Sequence, residues 1–210
     1  MKIGVIVASS NSAKNELLYN AVCKAAKKDD EVINFGVFED GENFSYVEIS
    51  LVIGMLLNRK IVDFVVTGCS SGQGMMLACN NMPGVICGYA PTPQDAFLFA
   101  RINDGNAVSL PLGLNFGWCG ELNLQNTMNA LFDGDFGAGY PEKDAERKRY
   151  DTKLLKEIKN LSNVNFDELL GKLDKKMIEK AEKIITRKKR SLNRFMGPDA
   201  NKAMPNLDIP

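Results

Sequence analysis

The sequence predicts an α/β fold in which helices cover both faces of a five-stranded parallel sheet. Two observations carry this prediction. Short apolar runs rich in β-branched residues alternate with amphipathic helical patterns as far as about residue 131, a rhythm typical of a parallel sheet. The chain has 210 residues, of which 45% are hydrophobic, and this is enough for one well-buried domain with an appendage.

The first predicted elements form two strand-helix units. Residues 2–7, with the sequence KIGVIV, predict the first strand, and apolar residues at helical spacing predict a helix over about 14–27. Residues 31–37, EVINFGV, predict the second strand. The amphipathic segment 46–58 predicts the helix that follows it.

The alternation continues with three further units. The strongest of them begins at the run VDFVVT, residues 62–67, which has the composition of a buried parallel strand. The remaining predicted strands are 84–89 and 107–112, and the predicted helices are 75–80, 93–101 and 120–131. Together these elements define a sheet domain over residues 1–140.

The character of the chain changes at about Tyr140. The segment EKDAERKRYDTKLLKEIK is strongly charged and helical, and residues 166–187 carry apolar side chains at helical spacing. We therefore predict a helical C-terminal extension over 141–191. Residues 192–210 contain three of the eight prolines and predict an extended tail.

Charge and hydropathy exclude several classes of function. Lys and Arg number 26, as do Asp and Glu, so the formal net charge is zero, which argues against affinity for nucleic acid or an anionic membrane. The longest apolar runs are far shorter than the ~18 residues of a membrane span. The N-terminus, MKIGVIVASS, predicts a strand rather than a signal peptide.

The cysteines and the missing histidines limit the chemistry. The five cysteines are widely spaced without a Cys-x-x-Cys pair, and the chain contains no histidine, so no metal site is expected. With no export signal, we expect reduced thiols and a cytoplasmic location. Acid-base chemistry in this chain must use cysteine, carboxylate, lysine or hydroxyl groups.

The most informative segment runs from Val62 to Met75, where the buried strand breaks into the loop Cys69-Ser70-Ser71-Gly72-Gln73-Gly74. Such a loop directs bare backbone N–H groups at whatever lies above the sheet, and Cys69 stands at its edge. Cys69 is either a small buried hydrophobe or a base whose thiolate those N–H groups favour. The turn itself could also be a simple strand-to-helix connection.

Two other segments are candidates for the same site. The loops 9–12, 69–74 and 103–106 are all expected at or near the carboxyl ends of strands, where parallel sheets bind ligands. The segment around Asn103 could instead be a helix cap and turn. Arg147 and Arg149 lie in a basic cluster that could be a solvated helix face. The loop after the first strand lacks the dinucleotide-binding glycine pattern, and no phosphate-binding loop motif occurs.

Two motifs resemble the type B ribose-5-phosphate isomerase and galactose-6-phosphate isomerase family. The family's Cys-Gly-Thr-Gly-x-Gly-Met run corresponds to residues 69–75, and its Ala-Asn-Lys helix end followed by Pro/Ala-Gly-Ile corresponds to 78–85. Its Ala-Arg-x-Asn-Asp-x-Asn run, followed by Leu-Gly, corresponds to 100–106 and to Leu112-Gly113. The resemblance covers residues 1 to about 155.

The resemblance implies a Rossmann-like three-layer α/β/α sandwich and a homodimer or homotetramer with shared active sites. It implies isomerisation of a phosphorylated sugar through a cis-enediolate, without a metal or organic cofactor. Cys69 matches the proton-shuttling base and Ser71 the neighbouring threonine. The residues implied to bind substrate are Ser9, Ser10, Ser70, Gly72, Gln73, Gly74, Asn103, Arg147 and Arg149.

The departures from the family concern its histidines. Ile102 stands where the family has its ring-opening histidine, and Ser9-Ser10 or a neighbour replaces its Asp-His pair. Isoleucine cannot transfer a proton, so either Asp104, Asp95 or a serine takes over this step or the substrate is already open-chain. The missing histidine leads us to expect an open-chain substrate. A four-carbon sugar with a terminal phosphate is one such compound.

Two alternatives remain at this stage. One is a non-catalytic protein that binds sugar phosphates in the same anion-binding loop. The other is an enzyme of a different class that uses Cys69 as a covalent nucleophile, which is weaker because no histidine activates the thiol.

Overall fold

The computed structural model describes residues 1–36, 42–114 and 116–196, with side chains described as far as residue 189. The strands are β1 (Lys2–Val7), β2 (Glu31–Asn34), β3 (Phe64–Cys69), β4 (Cys87–Tyr89) and β5 (Ala107–Pro111). All pairings are parallel, in the order β2-β1-β3-β5-β4. The helices are α1 (Asn15–Ala25), α2 (Tyr46–Asn58), α3 (Gln73–Asn80), α4 (Pro93–Leu98), α5 (Gly120–Phe132), α6 (Ala145–Ser162), α7 (Phe166–Lys172) and α8 (Lys175–Met196).

Helices cover both faces of the sheet, which confirms the predicted three-layer sandwich. Successive strand residues point to opposite faces, so Val65 packs into one core while Phe64 and Val66 pack into the other. The first core contains side chains of α2, α3, α7 and α8, and the second contains those of α1, α4 and α5. Every residue of β3 is buried, which explains the near-continuous apolar run of that strand.

The predicted boundaries hold best where a local capping signal exists. α2 spans 46–58 as predicted, because Ser45 and Glu48 form a capping box at its N-terminus. β2 ends at Asn34, before the predicted strand ends, and Val37 lies outside the described residues. The helix predicted to end at 101 divides into α4 and a π-helical turn over Phe99–Asn103.

The segment 103–106 lies at the opposite edge of the sheet from the one predicted. It enters β5 at Ala107, and the N–H of Val65, near the start of β3, donates to the carbonyl of Asn106 at 3.0 Å. A loop that follows a helix and enters a parallel strand lies at the amino-terminal edge, so the prediction that this loop joins the carboxyl edge is wrong.

The C-terminal extension consists of α6, α7 and α8. The apolar pattern over 166–187 divides into two helices at Leu173-Asp174, where the Asp174 carboxylate accepts the N–H of Lys176 at 2.7 Å. α8 continues to Met196, and residues 197–210, which hold most of the predicted tail, lie outside the described residues. Over the described ranges, no helix combines the length and hydropathy that crossing a membrane requires.

Candidate active site

Cys69 is the last residue of β3 and only 8% of it is exposed. Its Sγ accepts the backbone N–H of Gly72 at 3.2 Å. Gly72 closes the turn in the left-handed region with φ of +77°, and a Cβ there would lie 2.7 Å from the Tyr89 ring and 2.8 Å from the Leu110 backbone. Only glycine fits this position without strain, and its backbone conformation directs the Gly72 N–H at the Cys69 sulfur.

The turn after Cys69 is fixed to the neighbouring strand. Ser109 Oγ donates to the carbonyl of Gly72 at 2.6 Å, and the N–H groups of Gly113 and Leu114 donate to the carbonyl of Ser70 at 2.9 and 2.7 Å. α3 begins at Gln73, so its first N–H groups have no intrahelical acceptor. The Ser70 and Gly72 carbonyls therefore accept hydrogen bonds within the protein, and the first N–H groups of α3 have the arrangement that suits an anion.

The loop after β1 contacts this turn through Asn11, a residue that the motif comparison did not single out. Asn11 is 7% exposed, and its Nδ2 donates to both Ser10 Oγ and Ser70 Oγ at 3.1 Å. Ser9 bonds instead to the segment before α2: its Oγ accepts the Phe44 N–H at 2.8 Å. A buried amide between two candidate loops has no signature in the local sequence.

These loops border a cleft of about 500 Å³. Cys69 lines it, together with Ala8, Ser9, Ser10, Asn43, Phe44, Ser45, Tyr46 and Glu48. The Tyr46 ring packs beside the Gly74 backbone, with its Cε2 3.5 Å from where a Cβ of residue 74 would lie, and 44% of Tyr46 is exposed. Tyr46 thus adds a phenol to the cleft. The sequence pattern predicts only that Tyr46 begins a helix, and not that it lines a cleft.

Glu48 contributes a charged carboxylate to the cleft wall. Its Oε1 forms an ion pair with Lys180 of α8, and its Oε2 accepts the Ser45 N–H at 2.7 Å. Burial raises the pKa of this carboxyl, but the hydrogen bonds from Lys180 and Ser45 outweigh burial, so the pKa lies below its ordinary value. The group is therefore ionised at neutral pH.

Three residues predicted for the site lie elsewhere in the protomer. Asn103 ends the π-helical turn at the amino edge of the sheet. Arg147 forms an ion pair with Asp151 at 3.2 Å on the exposed face of α6, and Arg149 donates to the carbonyl of Ala138 at 2.8 Å. None of the three lines the cleft that contains Cys69.

Ser71 and Gln73 belong to the turn itself. Ser71 is half-buried just after Cys69, and Gln73 is exposed at the first position of α3. Within the ranges that the structure describes, no group of three or more Cys, Asp or Glu side chains is arranged to hold a metal ion.

Solved structures with the same fold include proteins similar over almost the whole chain. A 4-deoxy-L-threo-5-hexosulose-uronate ketol-isomerase in complex with a tartrate is 35% identical, with a TM-score of 0.83, covering 97% of this chain and 91% of its own. A ribose-5-phosphate isomerase from Vibrio parahaemolyticus is 33% identical, also with a TM-score of 0.83, and 99% of each chain is covered.

A shorter structure shares the fold without the full extension. The type B ribose 5-phosphate isomerase from Trypanosoma cruzi is 21% identical, with a TM-score of 0.64, and the match covers 98% of it but 76% of this chain. A comparison with curated proteins gives no match.

The family comparison agrees with the two sequence motifs and with the position of the glycine turn. The model of the ribose/galactose isomerase family matches residues 5–133, which include the end of β1, the strands β2 to β5 and the whole turn after Cys69. The chain therefore belongs to the ribose/galactose isomerase family.

Proposed function

We propose that this protein is an aldose–ketose isomerase that uses Cys69 to move a proton between C1 and C2 of an open-chain sugar. One observation supports this most strongly: the Cys69 sulfur accepts the Gly72 N–H and lies in the wall of a cleft, at the turn that leads into the N-terminus of α3. In this proposal the thiolate form of Cys69 is the base, since the thiolate rather than the thiol accepts a proton.

The proposed reaction moves a proton from C2 to C1 in two transfers, both through Cys69. The Cys69 thiolate removes the proton from C2 of the aldose, the C–H electron pair forms the C1–C2 double bond, and the carbonyl electrons move to O1. The other N–H groups of residues 70–74, apart from that of Gly72 on the sulfur, stabilise the resulting enediolate, whose negative charge develops on oxygen. The thiol then returns the proton to C1, and C2 becomes the carbonyl carbon of the ketose after proton exchange between O2 and O1.

The substrate in this proposal is a phosphorylated sugar bound between two subunits of a homodimer or homotetramer. In this proposal Asn103, Arg147 and Arg149 serve the site of a second protomer, because they lie away from the Cys69 cleft of their own chain. Guanidinium groups suit phosphate because they can donate two parallel hydrogen bonds to it.

Ile102 restricts this substrate to a sugar that needs no ring opening. The Ile102 carbonyl accepts the Thr152 Oγ1 at 2.5 Å, and its side chain has no group able to move a proton. A tetrose or tetrulose phosphate meets the restriction, because its terminal oxygen is esterified and cannot close a five- or six-membered ring.

A second candidate substrate is an open-chain uronate. The 35% identical structure is described as acting on 4-deoxy-L-threo-5-hexosulose-uronate. In a compound of that name C4 carries no oxygen and C5 is a ketone, so neither carbon has a hydroxyl group that could add to the C1 aldehyde and close a ring. Its carboxylate would take the place of the phosphate, and the same Ile102 observation favours it.

A substrate panel followed by NMR tests the proposal. The panel contains tetrose phosphates, ribose 5-phosphate, galactose 6-phosphate and 4-deoxy-L-threo-5-hexosulose-uronate. We expect turnover of an open-chain member with the highest kcat. Binding of these compounds in calorimetry without any turnover would instead support the non-catalytic sugar-phosphate-binding alternative.

A further inference from the structure

The C-terminal helix lies against the segment that walls the candidate active site. Lys180, Lys183 and Arg187 occupy positions i, i+3 and i+7 of α8 and therefore share one face. Two of them approach Glu42, whose carboxylate lies 3.8 Å from the Lys183 amine and 3.2 Å from the Arg187 guanidinium. The apolar side of α8, with Ala181 and Ile185, is buried in the core beneath.

Lys180 makes the most extensive of these contacts. Its Nζ donates to the carbonyl of Asn43 at 2.7 Å, forms the ion pair with Glu48, and lies 4.7 Å from the centre of the Phe44 ring. The Lys180 side chain is 31% exposed. One amine thus fixes three successive features of the cleft wall: a backbone carbonyl, an aromatic ring and a carboxylate.

The wall that Lys180 holds is bonded directly to the loop after β1. Phe44 is 3% exposed and exchanges two hydrogen bonds with Ser9, donating to its Oγ at 2.8 Å and accepting its N–H at 3.1 Å. Ser9, Phe44 and Glu48 line the cleft together with Cys69. A displacement of Lys180 would therefore affect the cleft both through the Asn43–Phe44 segment, which is bonded to Ser9, and through Glu48.

Charge gives Lys180 a second effect on the cleft. Glu48 faces a cleft in which an anionic sugar would bind and an enediolate would form. The negative charge of a carboxylate there disfavours both the binding and the formation of the enediolate. The ion pair with Lys180 offsets this charge. Loss of the amine would leave the Glu48 carboxylate with its hydrogen bond from Ser45 but without a compensating charge.

We propose that Lys180 is a positioning residue of the active site, which holds the Asn43–Glu48 wall over Cys69 and compensates the charge of Glu48. The C-terminal helix is then part of the catalytic unit rather than a separate appendage. The kinetic part of this inference rests on the proposed isomerase function, whereas the structural part does not.

The test compares full-length Lys180→Met with the wild type in two measurements. The first is the rate at which iodoacetamide alkylates Cys69, followed by peptide mass spectrometry with the exposed Cys23 as internal reference. We expect Cys69 to react about three- to tenfold faster in the variant, because a loosened wall exposes the sulfur. The second is KM for the preferred substrate, which should rise about three- to tenfold while kcat falls less.

Two further variants separate position from charge. Lys180→Arg keeps the cation and should retain near wild-type values in both measurements. Adding Glu48→Gln to Lys180→Met removes the uncompensated negative charge, and the amide oxygen of the introduced glutamine can still accept the Ser45 N–H. KM should therefore return most of the way to its wild-type value. Lys172→Met is the matched control, since it breaks an exposed ion pair with Glu168 on α7, and it should change neither measurement.

An alkylation rate of Cys69 in Lys180→Met equal to that of the wild type would overturn the inference. Because this readout needs no substrate, failure of the wild type to isomerise any sugar would contradict the proposed function and still leave Lys180 tested. A double variant whose KM stays as high as that of Lys180→Met would contradict the charge compensation.

Discussion

The two edges of the sheet differ in what they offer a ligand. At the carboxyl edge, the turn after Cys69 is bonded to β5 and to the loop after β1, and its donors are preorganised within one chain. At the amino edge, Asn103 ends a π-helical turn beside the ion pair between Asp104 and Lys156, and Arg147 and Arg149 of α6 are exposed. Under the proposed function, one protomer supplies the base and the donors to the enediolate, and the proposed anion-binding residues lie outside the cleft of their own chain.

Cys69→Ala breaks the carboxyl edge and carries the largest expected effect. The isomerisation rate should fall at least ~10²–10⁴-fold, as for other positioned acid-base groups. The fold should persist, because a small residue replaces a small one at the end of a strand. Cys23→Ala, at an exposed cysteine on α1, is the matched control and should keep full activity. Near wild-type turnover by Cys69→Ala would assign a structural role to the thiol.

Mixing two inactive variants tests whether the edges come from different chains. Cys69→Ala and Asn103→Ala should each be inactive alone. After dissociation and reassembly in equal amounts, about a quarter of the sites should combine two intact edges, and that fraction of activity should return. The measurement is turnover of the mixture, with light scattering as the check on assembly. No recovery from a mixture that has reassembled would place both edges in one chain.

Gly72→Ala tests the rigidity of the carboxyl edge. The left-handed conformation alone should lower the free energy of unfolding by about 1–2 kcal/mol, and the contact with Leu110 adds to this. Urea denaturation measures the loss. Gly171→Ala is the control, because nothing lies within 4 Å of its Cβ in α7 and stability should stay equal or rise slightly. Equal stability of Gly72→Ala and the wild type would mean that the turn is not strained.

Ile102→His sharpens the comparison at the amino edge and carries the smallest expected effect. It should raise kcat for cyclic pentose or hexose phosphates several-fold, which is less than the ~10²–10⁴-fold effect of a fully positioned acid-base group. An open-chain substrate should be unaffected, because it has no ring to open. Steady-state kinetics on both kinds of sugar measure the difference. Faster wild-type turnover of a cyclic sugar than of any open-chain one would show that another residue opens the ring.

The sequence predicted the parts of the molecule that depend on local patterns. The helical spacing placed α2 within its observed bounds, and the capping box of Ser45 and Glu48 explains why the helix begins there. The glycines after β3 placed the turn at Cys69, because a left-handed residue at a strand end leaves a clear composition signal.

Tertiary contacts and sheet edges were not accessible in the same way. Lys180 meets Glu48 across 132 residues, and the buried amide of Asn11 meets Ser70 across 59, so no local pattern reports either contact. The position of 103–106 was predictable in principle, because a loop that enters a parallel strand lies at its amino end. The turn-like composition of that segment does not report which end of a strand the loop adjoins.

Incubation of the wild-type protein with an open-chain substrate in D₂O, followed by NMR, tests the central claim most directly. If Cys69 transfers a proton between C1 and C2, its thiol exchanges with solvent, and deuterium should enter C1 of the ketose and C2 of the aldose. The same incubation with Cys69→Ala should show no label beyond the rate without protein. Conversion without any deuterium at C1 or C2 would exclude an exchangeable enediolate intermediate, and binding of the sugars without exchange would contradict catalysis by this site.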